Sequence, residues 1–427
     1  MLPRQTTILI VGAGPTGLAT AVSLVLQGCK DLVIVDAVER DLRPFSSRSL
    51  IVHSATLECL DKIHVSEALI SHGTKLRSIN DYTGSGFLSR TEMDGLKGYT
   101  RYPFILLVSQ YSTERVLESR AEELGVRVQR PYKPTRTFDN GETIKAKYVI
   151  GADGARSTVR QILQIPFADP DGALGEERQS VMADVTFANA PSLPHDEYIR
   201  YSASSEFFLC IPITRSPYPE SYESLADRIF RIGFGAPAGN GAPPSNPGID
   251  YFQEFLNNHR FPFLTPTEGQ VIKIDKVLWS TRFRSRAAIA DKFLVRLHAG
   301  GEDESENKSS RVVFLVGDAA HIHSPVGGQG MNLGVREAVG LGVVLAQHME
   351  IYPQNPSSAD QLLDEFATNR YARAMSTIKL TKRAIWVISL VGSDGWIRYF
   401  RWVVKLLYRL PIVKRAILWE MSGLGRA

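Results

Sequence analysis

Cysteine is scarce in this chain of 427 residues: Cys29, Cys59 and Cys210 stand far apart with no paired spacing. That argues against a disulfide framework and a cysteine-held zinc site, and fits a reducing, cytoplasmic compartment. An excess of one charge is also missing. Lys and Arg number 49 against 45 Asp and Glu, and the net +4 gives no footing for a nucleic-acid partner. Nor is there a long unbroken apolar run. Ile8 to Leu26 comes nearest to an export signal, but Gly12, Gly14, Pro15 and Gly17 interrupt it, so it reads as strand, turn and helix. Ala384 to Gly392 is too short to span a bilayer and stops at Ser393-Asp394-Gly395. No repeat of fixed period is visible, which sets solenoids and propellers aside.

What is present is ordinary globular material, 44% hydrophobic and 22% charged, long enough for two sub-structures sharing a cleft. Thr7 to Val11 is a buried parallel strand, Thr16 to Gln27 an apolar helix stopped by Gly28, and Leu32 to Asp36 a second buried strand. Together they make a βαβ unit. Thr56 to Ile63 and Ser112 to Leu124 read as helices, and Tyr148 to Ala152 as another buried strand. From about Val181 short alternating strands such as Glu206 to Ile213 are separated by proline-rich loops, the texture of an antiparallel sheet. Gly300 to Ser310 is a polar loop. Val312 to Val316 then returns to buried strand, and Met331 to His348 to a long helix.

Three motifs carry chemistry. Gly12-Ala13-Gly14-Pro15-Thr16-Gly17 sits between strand and helix. Gly12 permits the turn, Gly14 admits a pyrophosphate to the backbone, and Gly17 allows close helix packing. Asp36 follows Gly17 by 19 residues, at the end of the next strand, where a carboxylate accepts from ribose hydroxyls. The second motif is Val316-Gly317-Asp318-Ala319-Ala320-His321, continuing through Pro325-Val326-Gly327-Gly328-Gln329-Gly330 into Met331 and Asn332. So many glycines belong where backbone lies against a flat ligand, with the positive end of the following helix aimed at it. The third, Gly151-Ala152-Asp153-Gly154 to Arg160, again follows a buried strand, although Asp-Gly alone is a common turn.

In this order the three motifs resemble the flavoprotein monooxygenases of the para-hydroxybenzoate hydroxylase type, over most of the chain. The resemblance implies an α/β fold: an FAD-binding, Rossmann-like domain of the glutathione-reductase type, an inserted mainly antiparallel β-sheet substrate domain, and C-terminal helices. The corresponding boundaries are 1–180 and 281–380 for the FAD domain, 181–280 for the insert and 381–427 for the helices. It implies FAD bound through Gly12, Gly14, Gly17, Asp36, Asp153 and Asp318, with Gln110 on the FAD chain. Pro325, Gly328, Gly330, Met331 and Asn332 would lie along the isoalloxazine, and Arg48 on its nicotinamide side. It also implies reduction by NAD(P)H, a flavin hydroperoxide formed with O2, and hydroxylation of an aromatic or polyketide-like substrate. No nucleophile or metal is required, and none is nominated. His321 and His323 are read as structural hydrogen-bonding residues in preference to an acid–base pair.

Departures accompany the match. Between Val128 and Tyr148 the family carries a longer antiparallel meander, here cut to Arg130-Pro131-Tyr132-Lys133-Pro134 and the turn Phe138 to Glu142. A trimmed meander would leave a sheet edge open. Residues 396–409 form a basic amphipathic helix with Arg398, Arg401, Lys405 and Arg409. It either packs its apolar face on the protein, the reading preferred, or lies on a membrane surface. Tyr201, Phe207 and Phe208 either line a substrate pocket or pack the inserted sheet. An alkene epoxidase and a non-catalytic flavin-fold protein stay open as alternatives. A halogenase is disfavoured, because Trp279 stands alone and the other tryptophans lie in the last quarter.

Overall fold

The computed structural model describes residues 2–40, 49–84, 86–134, 143–172, 179–188, 193–203, 206–213, 229–235, 241–259, 261, 263–264, 272–284, 286–297, 311–325, 327–392, 403, 406–407 and 410–426. Arg48, the turn Phe138 to Glu142, the loop Gly300 to Ser310 and most of 396–409 lie outside them.

Five parallel strands and one antiparallel edge strand make the central sheet. Its order is Leu294–Leu297, Arg311–Leu315, Lys145–Gly151, Gln5–Val11, Leu32–Val35, Val128–Gln129. Ile10 stands between Ile34 and Ile150 in register, and Phe314 continues the row beside Ile150. Such strands are apolar on both faces because helices cover both. Helix α1 (Pro15–Leu26) starts at Pro15 after Gly14, and Gly17 to Leu24 are all buried; proline pre-sets φ for the first helical position. Helix α2 (Gln110–Glu123) is capped by Ser109, whose hydroxyl accepts from the Ser112 amide. Helix α3 (Gln329–Ile351) is followed by α4 (Pro356–Gly392) and α5 (Pro411–Ser422). Ile8, Leu18, Val22, Leu57, Leu117 and Leu341 belong to the core these elements share.

A second sheet of seven strands runs Ile274–Arg284, Gln179–Phe187, Ile229–Gly235, Glu206–Pro212, Glu197–Ala203, Ser78–Thr83, Gly86–Glu92. The sequence reading confined this sheet to 181–280, whereas Ser78–Thr83 and Gly86–Glu92 join it from the first segment. Glu197–Ala203 is not an edge strand, because Ser78–Thr83 satisfies its outer backbone groups by parallel pairing. The family's longer meander before Lys145 has no counterpart among the described residues, and Lys145–Gly151 pairs directly with Gln5–Val11.

The two faces of this sheet differ. One is an aromatic core in which Phe208, Phe234, Phe252, Phe255 and Phe261 pack beneath the helix Ile249–Asn258. Phe208 stacks on Phe261 at 4.4 Å and Tyr201 meets the same ring edge-on at 5.1 Å. Phe208 is thus buried sheet packing, and Tyr201 is half-buried against the same cluster. The opposite face carries Leu209 and Ile211, which share an apolar cluster with Ile51 and Met421. It also buries Asp184 against Arg231, paired through two hydrogen bonds of 2.7 and 2.9 Å, with Trp279 over the guanidinium at 4.7 Å.

Phe234 and Phe255 stack nearly parallel, ring centres 3.5 Å apart. Phe234→Ala should cost about 3–5 kcal/mol of stability, read as a lower urea midpoint with the slope unchanged.

Candidate functional site

The three motifs meet at the C-terminal ends of the parallel strands, where open α/β sheets bind ligands. Their meeting depends on glycine. A Cβ on Gly17 would stand 1.8 Å from the Gly12 carbonyl oxygen, and one on Gly12 2.4 Å from that of Ala152. Gly12 also has φ +103°, a conformation disfavoured for other residues. Helix α1 thus lies against its own turn, and that turn against the Asp-Gly motif. Thr16 makes the second junction: a Cβ on Gly317 or Gly334 would fall 2.7 or 2.6 Å from its hydroxyl. Arg160 makes the third. One guanidinium nitrogen donates to the Ala319 carbonyl at 2.7 Å and the other to Ala155 at 2.8 Å, while Phe167 lies 3.8 Å beneath.

Gly14 differs from its neighbours. A Cβ there meets nothing within 4 Å, so its outer side is open at the N-terminus of α1. That is the geometry in which free N–H groups and the helix dipole receive phosphate. Asp36 is buried beside this turn, accepting from the Ala13 amide at 2.7 Å and the Val38 amide at 2.9 Å. Asp153 caps the helix Thr158–Ile162, its Oδ2 accepting from Thr158 at 2.6 Å and Val159 at 3.1 Å. Its shielded Oδ1 has no partner among the described residues. Asp318 is exposed in the turn Gly317–Ala319. An open glycine cradle, a shielded carboxylate oxygen and an exposed carboxylate together fit a hydroxyl-rich dinucleotide such as FAD.

The loop from Pro325 to Gly330 is held from below. Gly328, at φ +62°, caps α3 and donates its N–H to the Pro325 carbonyl. Asn332 uses its whole amide on protein: Nδ2 donates to Ile51 at 2.8 Å and Gly328 at 2.6 Å, while Oδ1 accepts from the His53 amide at 2.8 Å. Its side chain therefore braces the loop. Gly330 has no atom closer than 4.0 Å to a built Cβ, and Gly327 is exposed, so this edge is open. Met331 is half-buried beside the core. Gln110 connects through backbone: its N–H bonds Ser49, next to the strand Ile51–Val52 that Asn332 grips. Its side-chain amide donates to Glu114 at 2.9 Å.

His321 is fully buried, with Nε2 2.8 and 2.9 Å from the two Glu337 oxygens, and Glu337 also accepts the Gly317 amide at 3.1 Å. Burial works against the imidazolium, but Glu337 more than offsets it and the His321 pKa is raised. His323 is held down to about 4 by burial and stays neutral at ordinary pH. His321 is thus tied through Glu337 to the Gly-Asp turn, while His323 Nδ1 lies 2.9 Å from the Ser324 carbonyl. Thr16, Arg160 and Glu337 carry the site although nothing in their sequence spacing singles them out. Thr16 and Arg160 at least fall inside motifs.

Similarity to known proteins is consistent with this geometry. The family described as FAD binding domain matches residues 5–225 and 305–381. A Bacillus subtilis protein named as an uncharacterized aromatic compound monooxygenase is 27% identical, covering 97% of this chain and 75% of its own length. A 12-dehydrotetracycline 5-monooxygenase/anhydrotetracycline 6-monooxygenase of Streptomyces rimosus is 28% identical, covering 98% and 76%. The crystal structure of p-nitrophenol 4-monooxygenase from Pseudomonas putida superposes with a TM-score of 0.73 at 19% identity, over 100% of both chains, a likeness of fold.

Losing one partner of the buried His321–Glu337 pair costs about 3–5 kcal/mol. Because the His321 pKa is raised, the pair's contribution is complete below the unfolded imidazole value of about 6.5 and is lost as pH rises through the folded value. Urea unfolding of Glu337→Gln should therefore differ from wild type most at acidic pH, the gap narrowing as pH rises through the raised His321 value.

Proposed function

The chain belongs to the FAD binding domain family, and from that premise we infer that it is an FAD-dependent monooxygenase that uses NAD(P)H and O2 to hydroxylate an aromatic small molecule. The observation that carries the reading is the open backbone of Gly14 at the α1 N-terminus, flanked by Asp36 and Asp153. When bound, FAD accepts two electrons from NAD(P)H and activates O2, one oxygen atom entering the substrate and the other leaving as water.

The chain's own groups position and stabilise. We assign the pyrophosphate to the Gly12–Gly17 turn and the ribose hydroxyls to Asp36. Asp318 and Asp153 are assigned to further hydroxyls of the cofactor. Pro325, Gly328 and Gly330 supply backbone along the ring system, with Met331 at the start of α3, whose positive end favours negative charge there. Asn332 keeps that loop in place by its bonds to Ile51 and Gly328. Gln110 is assigned to the FAD chain, and Arg48, by family resemblance alone, to the nicotinamide side. We assign the substrate to the side of the loop that faces the second sheet, where Leu209 and Ile211 offer apolar side chains. An electron-rich aromatic or polyketide-like ring suits that apolar lining, in keeping with the tetracycline-directed relative.

The purified protein should take up FAD, show flavin bands, and bleach on anaerobic addition of NADPH. Gly14→Val should fold normally, since its side chain meets open space, yet weaken FAD binding at least about 100-fold by filling the pyrophosphate approach. Wild-type protein that stays colourless with added FAD would sink the reading.

We further propose that residues 396–409 rest on an anionic lipid surface. Val403, Leu406, Leu407 and Leu410 follow helical i, i+3, i+4, i+7 spacing and are 43–54% exposed, with Ile412 at 75%. That exposure supports this reading against packing on the body, the reading preferred from sequence. Arg398, Arg401, Lys405 and Arg409 fall between Gly395 and Leu410 with no acidic residue among them, which favours negative headgroups. Among the described residues, no helix is long and apolar enough to cross a membrane. Wild type should co-sediment with phosphatidylserine vesicles and not with neutral ones, and the double change Leu406→Asp, Leu407→Asp should reduce that at least about fivefold. Equal sedimentation of both proteins would refute it.

A further inference from the structure

The family match ends at residue 381, yet the chain returns to the glycine loop thirty residues later. Helix α5 runs Pro411–Ser422 and ends at Gly423 in the left-handed conformation, φ +75°. A helix leaves its last carbonyls without intrahelical donors. Here donors come from α3. Gln329, the first residue of α3 and 3% exposed, donates its amide N–H to the Met421 carbonyl at 3.1 Å. Arg336, two turns on and 7% exposed, donates to the Gly423 carbonyl at 3.1 Å. A buried guanidinium at a helix C-terminus also complements its dipole.

The fit around these bonds is close. A Cβ on Gly423 would stand 3.0 Å from the Arg336 guanidinium and 3.4 Å from Ala55. Leu418 is buried, and a Cβ on Gly95 would be 2.8 Å from it. Met421 and Leu424 enter the apolar cluster that contains Ile51 and Leu209. Ile51 is also the side chain that a Cβ on Gly328 would meet at 3.1 Å. The loop is thus gripped at Gly328 through Ile51 and at Gln329 through Met421, and both grips involve one apolar cluster.

We propose that residues 411–426 form a strap whose docking is coupled to cofactor binding at the Pro325–Gly330 loop, with Gln329 and Arg336 as its positioning residues. This rests on the FAD reading above. The strap fixes the N-terminal turn of α3 in the conformation that receives FAD, and its Met421 and Leu424 pack into the apolar cluster that holds Leu209 and Ile211. Coupling of this kind is reciprocal: whatever factor the docked strap adds to FAD affinity, FAD adds to docking of the strap.

Hydrogen exchange of the full chain, with and without FAD, measures both directions. In wild type, FAD should slow exchange across 411–426 by about tenfold. Gly423→Val, which disturbs the strap at a residue outside the assigned FAD contacts, should abolish that protection and raise the FAD Kd by about tenfold. Exchange in the strand Gln5–Val11 should stay as in wild type, showing that the fold is kept. Arg336→Met should repeat the effect, and Arg336→Lys, which keeps a donor, should restore most of it; this pair decides the matter where Gly423→Val does not fold. Wild type that binds FAD with no change across 411–426 overturns the coupling. So does a Gly423→Val protein with a freed strap and an FAD Kd within twofold of wild type. Wild type that takes up no FAD overturns the underlying reading and the strap's role with it.

Discussion

Backbone-to-backbone contact at Gly12, Gly17 and Ala152 is the constraint on which the site depends. These atoms approach to distances that no side chain fits between, so α1 sits directly above the C-terminal end of its own strand and beside the Asp-Gly turn. From there Thr16 reaches Gly317 and Gly334, and Arg160 ties the Asp-Gly helix to Ala319. Three segments separated by more than a hundred residues become one surface because small residues let their backbones touch. The entropy of ordering these loops is met by the core beneath, where Ile10, Ile34, Ile150 and Phe314 form one layer.

Charge is arranged around that surface with little waste. Two helix N-termini, of α1 and α3, face the open side, while acidic groups are placed where hydroxyls and not phosphates are expected. The interior charges are matched: Glu337 lies between His321 and the Gly317 amide, and Asp184 is paired with Arg231. Leaving either carboxylate alone in the interior would carry a desolvation penalty of several kcal/mol. The first pair holds the Gly-Asp turn, and the second stiffens the face of the inserted sheet that looks towards the loop.

Sequence made the parallel strands and their helices legible, since buried strands read as short β-branched runs and α1 and α3 as long apolar segments bounded by glycine. Observed limits lie within a few residues of those expected, as with Gln5–Val11 against Thr7 to Val11. It did not reveal that Ser78–Thr83 pairs in parallel with Glu197–Ala203, because a partner more than a hundred residues away leaves no local trace. Nor did it separate the two faces of the second sheet. Phe208 suited pocket or core equally in the sequence, and the register and the helix Ile249–Asn258 place it in the core.

By itself, then, the amino-acid order determined the chemistry on offer: a glycine turn after a strand, an acid at the end of the next, and a glycine-rich entry to a long helix. Those are local rules of turn geometry and periodicity, complete within about thirty residues of chain. Tertiary structure alone decided which residues hold that chemistry in place. Asn332 became a brace for its loop, Glu337 a partner for His321, and Gln329 and Arg336 the anchors of a C-terminal helix. Most of those roles are hydrogen bonds between groups far apart in the chain, and such bonds exist only once packing has brought donor and acceptor within about 3 Å.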